Sequence, residues 1–305
     1  MKKVVVTGAT GFIGRNLVRK LVDLGFYVYA VIRPNSKNKD KLDVAKNLEI
    51  IELDMFDIDR LSALIVNECD IFCHLAWEGV RGADRDGHEL QVGNYLNSLK
   101  TVQAAKDLGC HVYMTTGSQA EYGVYDKEID EMVECNPTTE YGRQKYRFFQ
   151  DGMGLAEKLG VSFKEARIFS LYGPGDYENT MVCSVLGSML DNNEIDLTAG
   201  THDWNFLYID DAVDGMVKLI TDKCSDGAYN FSGDETRILR DFVEIMYREA
   251  KSKSILNFGS IPYLGSGPIG MKPDNSKLKR ETSWAPKVDF AKGINKMITK
   301  LTGKR

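Results

Sequence analysis

Apolar residues in the first half of the chain fall into two alternating textures. Short runs with few or no polar interruptions (Lys3–Thr7, Tyr27–Ile32, Leu48–Glu52, Ile71–His74, His111–Thr115 and Ser162–Phe169) read as strands. Between them, apolar positions recur at three- and four-residue spacing over Gly14–Asp23, Arg60–Val66, Gln91–Leu108 and Tyr141–Leu159, which predicts helices. Strand and helix in strict alternation build a parallel sheet with helices on both faces. A strand such as Val4–Val6 has no polar face because both of its faces are covered.

After Phe169 the texture changes. Tyr172-Gly173-Pro174-Gly175-Asp176 signals a turn, and Met181–Leu190 reads as a helix. The apolar run Phe206–Ile209 leads into a predicted helix over Asp210–Ile220. A strand over Ala228–Phe231 follows, then a helix over Leu239–Lys251. A Gly-, Pro- and Ser-rich loop spans Gly259–Pro273, and a last helix lies near Phe290–Leu301. The chain shows no internal repeat and no low-complexity tract.

Composition narrows the function classes. With 305 residues, 43% hydrophobic and 27% charged, the chain is an ordinary globular sequence with ample core. A net charge of −5 gives no electrostatic footprint for nucleic acid or an anionic membrane. The basic end (Lys296, Lys300, Lys304, Arg305) is too short to change that and reads as a solvated helix end. Six scattered cysteines form no C-x-x-C pair, and the four histidines do not join them at ligand spacing, so no metal site is expected. No run approaches a membrane span and no signal core precedes the first strand, so the expected location is the cytoplasm.

The first candidate chemistry lies at the start. Val4-Val5-Val6-Thr7-Gly8-Ala9-Thr10-Gly11-Phe12-Ile13-Gly14 is a strand breaking into three glycines and then a helix. That context suits a dinucleotide pyrophosphate, which backbone approaches closely and which the helix's N–H groups and positive dipole end attract. An ordinary Gly-rich turn is the alternative. A second constellation decides between them. Tyr141 and Lys145 stand four apart on one helix face, and Ser118 lies at a strand end upstream. A phenol ionises near pH ~10, so a neighbouring ammonium and a cofactor's positive ring are expected to lower its pKa for proton transfer.

Together these residues resemble an extended short-chain dehydrogenase/reductase of the nucleotide-sugar epimerase/dehydratase family, on its 4-ketoreductase-like branch. The resemblance runs through Thr7–Gly14, His74-Leu75-Ala76, Asn94 opening a long helix, Ser118–Gly123, Tyr141, Lys145, Arg167–Pro174, Phe206–Asp211 and Trp284-Ala285-Pro286. It implies a Rossmann-type doubly wound parallel sheet with a smaller C-terminal α/β substrate lobe. Residues 1–170 would form the dinucleotide-binding domain, with 204–231 returning to it, and 171–203 and 232–305 the substrate lobe. Tyr141 would be the acid/base, Lys145 would hold the cofactor ribose and lower the phenol's pKa, and Ser118 would assist the substrate oxygen. The cofactor set becomes Thr7, Gly8, Thr10, Gly11, Phe12, Ile13, Gly14, Arg33, Asp54, Met55, Leu75, Ala76, Thr116, Tyr141 and Lys145, with Asp54 accepting from the adenine amino group. Trp77, Ser118, Gln119, Ser170, Asn179, Trp204 and Lys272 form the substrate set.

Departures from the family pattern select within it. Arg33 ends the second strand where NAD-preferring relatives carry a carboxylate; a guanidinium grips a 2′-phosphate, so NADP(H) is preferred with NAD(H) possible, although a solvent-facing Arg reads the same way. Gln119-Ala120 replaces the Asp-Glu pair of the dehydratases, and Glu121, one position on, would have to re-aim. Trp204 replaces the epimerases' diphosphate-binding Arg, leaving Lys272 and Arg237 as candidate anchors. The expected reaction is NADP(H)-dependent reduction of a nucleotide-linked 4-keto-6-deoxy sugar. The alternatives are an NAD-dependent 4-epimerase and a non-catalytic NADP(H)-binding regulator. The resemblance also implies a homodimer formed through a four-helix bundle, with no nucleic-acid or membrane partner.

Overall fold

The computed structural model describes residues 1–263 and 270–303; the middle of the Gly259–Pro273 loop (264–269), and Lys304 and Arg305, lie outside the described residues. Seven parallel strands form the central sheet: β1 (Lys3–Thr7), β2 (Tyr27–Ile32), β3 (Leu48–Glu52), β4 (Ile71–His74), β5 (Val112–Ser118), β6 (Ser162–Ile168) and β7 (Gly227–Phe231). Their order is β7-β6-β5-β4-β1-β2-β3, so the chain winds outward from β1, returns to β4 and winds out the other way. That reversal opens a crevice beyond the carboxyl ends of β1 and β4.

Side-chain alternation explains the uninterrupted apolar runs. Val4, Val6, Ala30, Ile71 and Cys73 point into one core, while Val5, Tyr29, Val31 and Phe72 point into a second on the opposite face. The helices are α1 (Phe12–Asp23), α2 (Leu61–Leu64), α3 (His88–Asp107), α4 (Glu140–Leu159), α5 (Met181–Leu190), α6 (Ile209–Thr221), α7 (Leu239–Glu249), α8 (Ser276–Thr282) and α9 (Phe290–Thr302). The first core is shared by α1 and α6 and continues into α5, α7 and α9, where Phe206, Phe242 and Phe290 pack with ring centroids 4.7–5.2 Å apart. The second is covered by α3 and α4, which lie side by side.

Several predicted boundaries move, each for a local reason. The strand read as His111–Thr115 runs on to Ser118, so this serine is the last residue of β5. The helix expected over Arg60–Val66 becomes a 3-10 turn (Met55–Arg60), which Asp54 caps by accepting the Phe56 N–H at 3.0 Å, and the single turn α2, which stops where Ile65 is extended (φ −104, ψ 103). Helix α3 starts at His88, so Asn94 sits inside it; its side-chain amide instead holds the backbone of Glu78, accepting at 3.1 Å and donating at 2.9 Å. Short pairs such as Asp203–Asn205 with Thr236–Ile238, and the helix α8, had no local pattern. Contacts between distant segments make them.

Helix α4 is capped at both ends. The Thr139 hydroxyl accepts the Gly142 N–H at 3.1 Å, and Gly160 closes the helix in the left-handed conformation. Thr139→Ala should therefore cost about 1 kcal/mol in urea denaturation. Asp211, in the first turn of α6, accepts the backbone N–H groups of Lys287 and Val288 at 3.0 and 2.9 Å. Its own carbonyl takes the Trp284 indole N–H at 2.9 Å, which fixes the Trp-Ala-Pro segment beneath the sheet's first core. Among the described residues no helix is long and apolar enough to cross a membrane.

Candidate active site

The glycine-rich turn occupies the crevice where strand order reverses. Gly8 has φ +67, and a Cβ there would stand 2.7 Å from the backbone of Leu75 and Ala76, so the turns after β1 and β4 touch only because residue 8 is glycine. Thr7 links the same strands: its hydroxyl pairs with His74 Nδ1 at 2.8 Å, and His74 Nε2 with the Ser98 hydroxyl at 2.8 Å. Burial, with Lys145 nearby, pushes the imidazole down to about 3, so it is a neutral strut. Gly11 precedes α1 with no side chain capping the helix, so the N–H groups of Phe12, Ile13 and Gly14 are left for an anion. The cradle fits a dinucleotide pyrophosphate.

The remaining expected cofactor residues follow the neighbouring strands β2 and β3 or lie in the turn itself. Thr10 Oγ1 is 3.3 Å from the Ser36 hydroxyl, beyond β2. Arg33 pairs with Glu78 of the β4–α3 loop, both largely exposed. Asp54 and Met55 follow β3, half-buried, and the Asp54 carboxylate keeps one oxygen on the Phe56 N–H.

Ser118, Tyr141 and Lys145 converge beside the crevice and are all buried. Ser118 Oγ accepts the Ala120 N–H at 3.2 Å, which commits a lone pair and leaves the hydroxyl proton to donate. The Ser118 hydroxyl favours the ionised form of the Tyr141 phenol, against the effect of burial. Lys145 Nζ donates to the Thr116 carbonyl at 2.7 Å and lies 3.9 Å from the centroid of the Trp77 indole. Trp77 meets Tyr141 edge-on at 6.3 Å and donates Nε1–H to Gln91 Oε1 at 2.8 Å.

In the protein without a dinucleotide, burial dominates and pushes Tyr141 up to about 12; the Ser118 hydroxyl and Arg85 oppose that rise, and Glu121 and Glu165 add to it. Lys145, itself pushed down to about 8 by burial, is engaged by Thr116 and Trp77. A phenol held this high keeps its proton throughout the neutral range.

A buried charge cluster beneath the site was not anticipated. Glu121 Oε1 accepts the Ser118 N–H at 2.6 Å, and its other oxygen takes Arg167 Nε at 3.0 Å. The same Nε reaches Glu165 at 2.9 Å, and the guanidinium packs on the rings of Tyr122 and Phe149, each centroid 4.8 Å away. Glu121 thus turns into the protein rather than re-aiming at a substrate. Gly117 makes room for the cluster, because a Cβ there would stand 2.6 Å from the Glu165 carboxyl carbon. The available signal was Lys164-Glu165-Ala166-Arg167, a run of charges inside a strand whose position demands burial.

A cleft of ≈ 440 Å³ runs from Phe12 and Ile13 to Trp204, Phe206 and Leu239, with Ser170, Asp176 and Thr180 along it. Ser170 and Trp204, both expected to meet the substrate, are among the residues lining it. Gln119 is half-buried in the 3-10 turn after β5, outside this lining, and Asn179 is exposed just before α5, also outside it. Lys272 pairs with Asp203 at 3.0 Å and Arg237 with Glu235 at 3.1 Å, and neither lines the cleft. Arg81 is the one cation among the described lining residues, lying 3.8 Å from the Tyr177 centroid and 3.6 Å from Asp176.

A doubly wound sheet with a glycine cradle at its switch point and a Ser-Tyr-Lys cluster beside it defines an NAD(P)-dependent oxidoreductase-type enzyme. More narrowly, the chain belongs to the NAD dependent epimerase/dehydratase family, whose model matches residues 4–232. It is 25% identical over 301 residues to CDP-abequose synthase of Salmonella muenchen, covering 98% of this chain and 97% of that one. Among solved structures it resembles UDP-N-acetylglucosamine 4-epimerase of Methanobrevibacter ruminantium in complex with UDP-N-acetylmuramic acid (TM-score 0.87, 22% identity, 100% of this chain and 99% of the other). It also resembles UDP-glucuronic acid 4-epimerase of Bacillus cereus in complex with UDP-glucuronic acid and NAD (TM-score 0.83, 22% identity, 99% and 100% covered).

Proposed function

We propose that the protein reduces a nucleotide-linked 4-keto-6-deoxy sugar with NADP(H). The observation that carries this reading is the convergence of Ser118, Tyr141 and Lys145 beside the glycine cradle. The residues at 1–170 and 204–231 would hold the dinucleotide, and those at 171–203 and 232–305 the sugar nucleotide. When bound, the nicotinamide supplies the hydride. The Ser118 O–H holds the carbonyl oxygen, and Tyr141, protonated at neutral pH, gives its proton to the alkoxide that forms there. Lys145 holds the ribose. With Gln119-Ala120 in place of two acids and Glu121 turned inward, no carboxylate from residues 119–121 is available for eliminating water. Arg81, in the cleft, takes the substrate diphosphate in place of the arginine that Trp204 replaces.

Arg33 supports NADP(H) over NAD(H), although a 2′-phosphate must displace Glu78 to reach the guanidinium. One charge-assisted contact contributes about 1.5–3 kcal/mol. Arg33→Ala is therefore expected to lower the NADPH-to-NADH preference roughly 10- to 100-fold in parallel kcat/KM measurements.

The resemblance to 4-epimerases keeps a second reading in view, oxidation and re-reduction of a 4-hydroxyl with no net use of cofactor. NADPH and NADH oxidation against CDP-, dTDP-, GDP- and UDP-linked 4-keto-6-deoxyglucose separates the two. Stoichiometric oxidation is the expected result; interconversion of UDP-sugar epimers without it would transfer the assignment to the epimerase. We place the protein in the cytoplasm as a homodimer joined through α3 and α4, where Leu96 is 51% exposed. A monomer in sedimentation at micromolar concentration would exclude that assembly.

A further inference from the structure

The loop between β4 and α3 brings a second arginine to the site. Arg85 lies in a 3-10 turn (Gly82–Asp86), and its guanidinium carbon stands 4.7 Å from the centroid of the Tyr141 ring. Among the described residues no carboxylate lies within ion-pairing distance of it. The turn is held from two sides. Gln91, fully buried in α3, donates Nε2 hydrogens to the carbonyls of Gly79 and Asp84, each at 2.9 Å. Asp86 accepts the Glu140 N–H at 3.1 Å, and His88 Nδ1 meets the Glu140 carboxylate at 2.9 Å, which ties the turn to the first residue of the helix carrying Tyr141. Arg85 therefore sits on the phenol ring in a fixed segment.

We propose that Arg85 is a positioning residue for Tyr141: its unpaired guanidinium covers the phenol ring, holds it at the crevice, and opposes the negative charge left when the phenol gives up its proton. The charged groups around the phenol support the assignment. Glu121, beneath the Ser118 turn, and Glu165, from β6, both disfavour a phenolate. Lys145, from α4, is engaged by the Thr116 carbonyl and the Trp77 ring. Asp84 and Asp86 flank Arg85 on its own turn, with Asp86 committed to the Glu140 N–H. That leaves Arg85 as the cation facing the ring.

The inference rests on Tyr141 as the proton donor, and its test reads the phenol directly. A 3,5-difluorotyrosine placed at position 141 of the full chain reports its own ionisation by fluorine NMR without substrate. Arg85→Met is expected to raise the titration midpoint by about one pH unit, and Arg85→Lys, which keeps the charge, by clearly less. An unchanged midpoint in Arg85→Met would overturn the proposal. So would equal shifts in the two variants, because the effect would then not follow the charge. Turnover by Tyr141→Phe tests the underlying assignment separately: activity surviving that change removes Tyr141 as donor, whatever the fluorine titration shows.

Discussion

Tyr141→Phe is expected to lower kcat about 10²- to 10⁴-fold, the range lost when a positioned general acid is removed, while leaving dinucleotide binding near its wild-type strength. The two effects separate because in the proposed reaction the phenol oxygen carries the proton, whereas Thr7 ends β1, the glycine cradle follows it and Arg33 lies just past β2. The fold should tolerate the change. The ring keeps its contacts with Trp77 and Arg85, and only the hydroxyl is lost. Turnover with NADPH and a fluorescence titration of NADPH, run on the same sample, check both halves. Loss of binding together with loss of activity would mean that Tyr141 holds the cofactor rather than carrying the proton.

Arg167→Met is expected to cost about 3–5 kcal/mol, the usual penalty for removing one partner of a buried ion cluster. Glu121 and Glu165 are almost wholly inaccessible, and both rest on the same guanidinium nitrogen. Burial and the neighbouring Glu121 already hold Glu165 well above the ordinary carboxylate range, against the pull of Arg167. Removing the cation raises it further. The unfolded chain gives up this proton first as pH rises, so between the ordinary carboxylate pKa and the raised one the folded state binds more protons and stability falls with increasing pH. Urea unfolding of the variant should therefore show a smaller deficit at pH 5 than at pH 8. A deficit independent of pH would place the loss in packing against Tyr122 and Phe149 rather than in the carboxylates.

The elements that positioned the site were largely legible. Each central strand was visible because both sheet faces are covered, so its residues are apolar without a polar phase, and Tyr141 and Lys145 were matched through their four-residue spacing on one helix. Arg85 and Gln91 were not legible. Their placement arises where a loop folds back onto α4, across more than fifty residues of sequence, and no local pattern marks that approach. The Lys272–Asp203 pair was illegible for a related reason: a lone cation has no address until its partner is in place.

By itself the sequence determined the alternation of strand and helix, the glycine turn and the family to which they belong, because these depend on the periodicity of apolar residues and on backbone freedom at fixed spacing. Tertiary structure alone decided the electrostatics. It turned Glu121 inward, engaged Lys145 with Thr116 and Trp77, and set Arg85 over the phenol. Charge interactions depend on distance and burial, and both are properties of residues that meet only once the chain has folded.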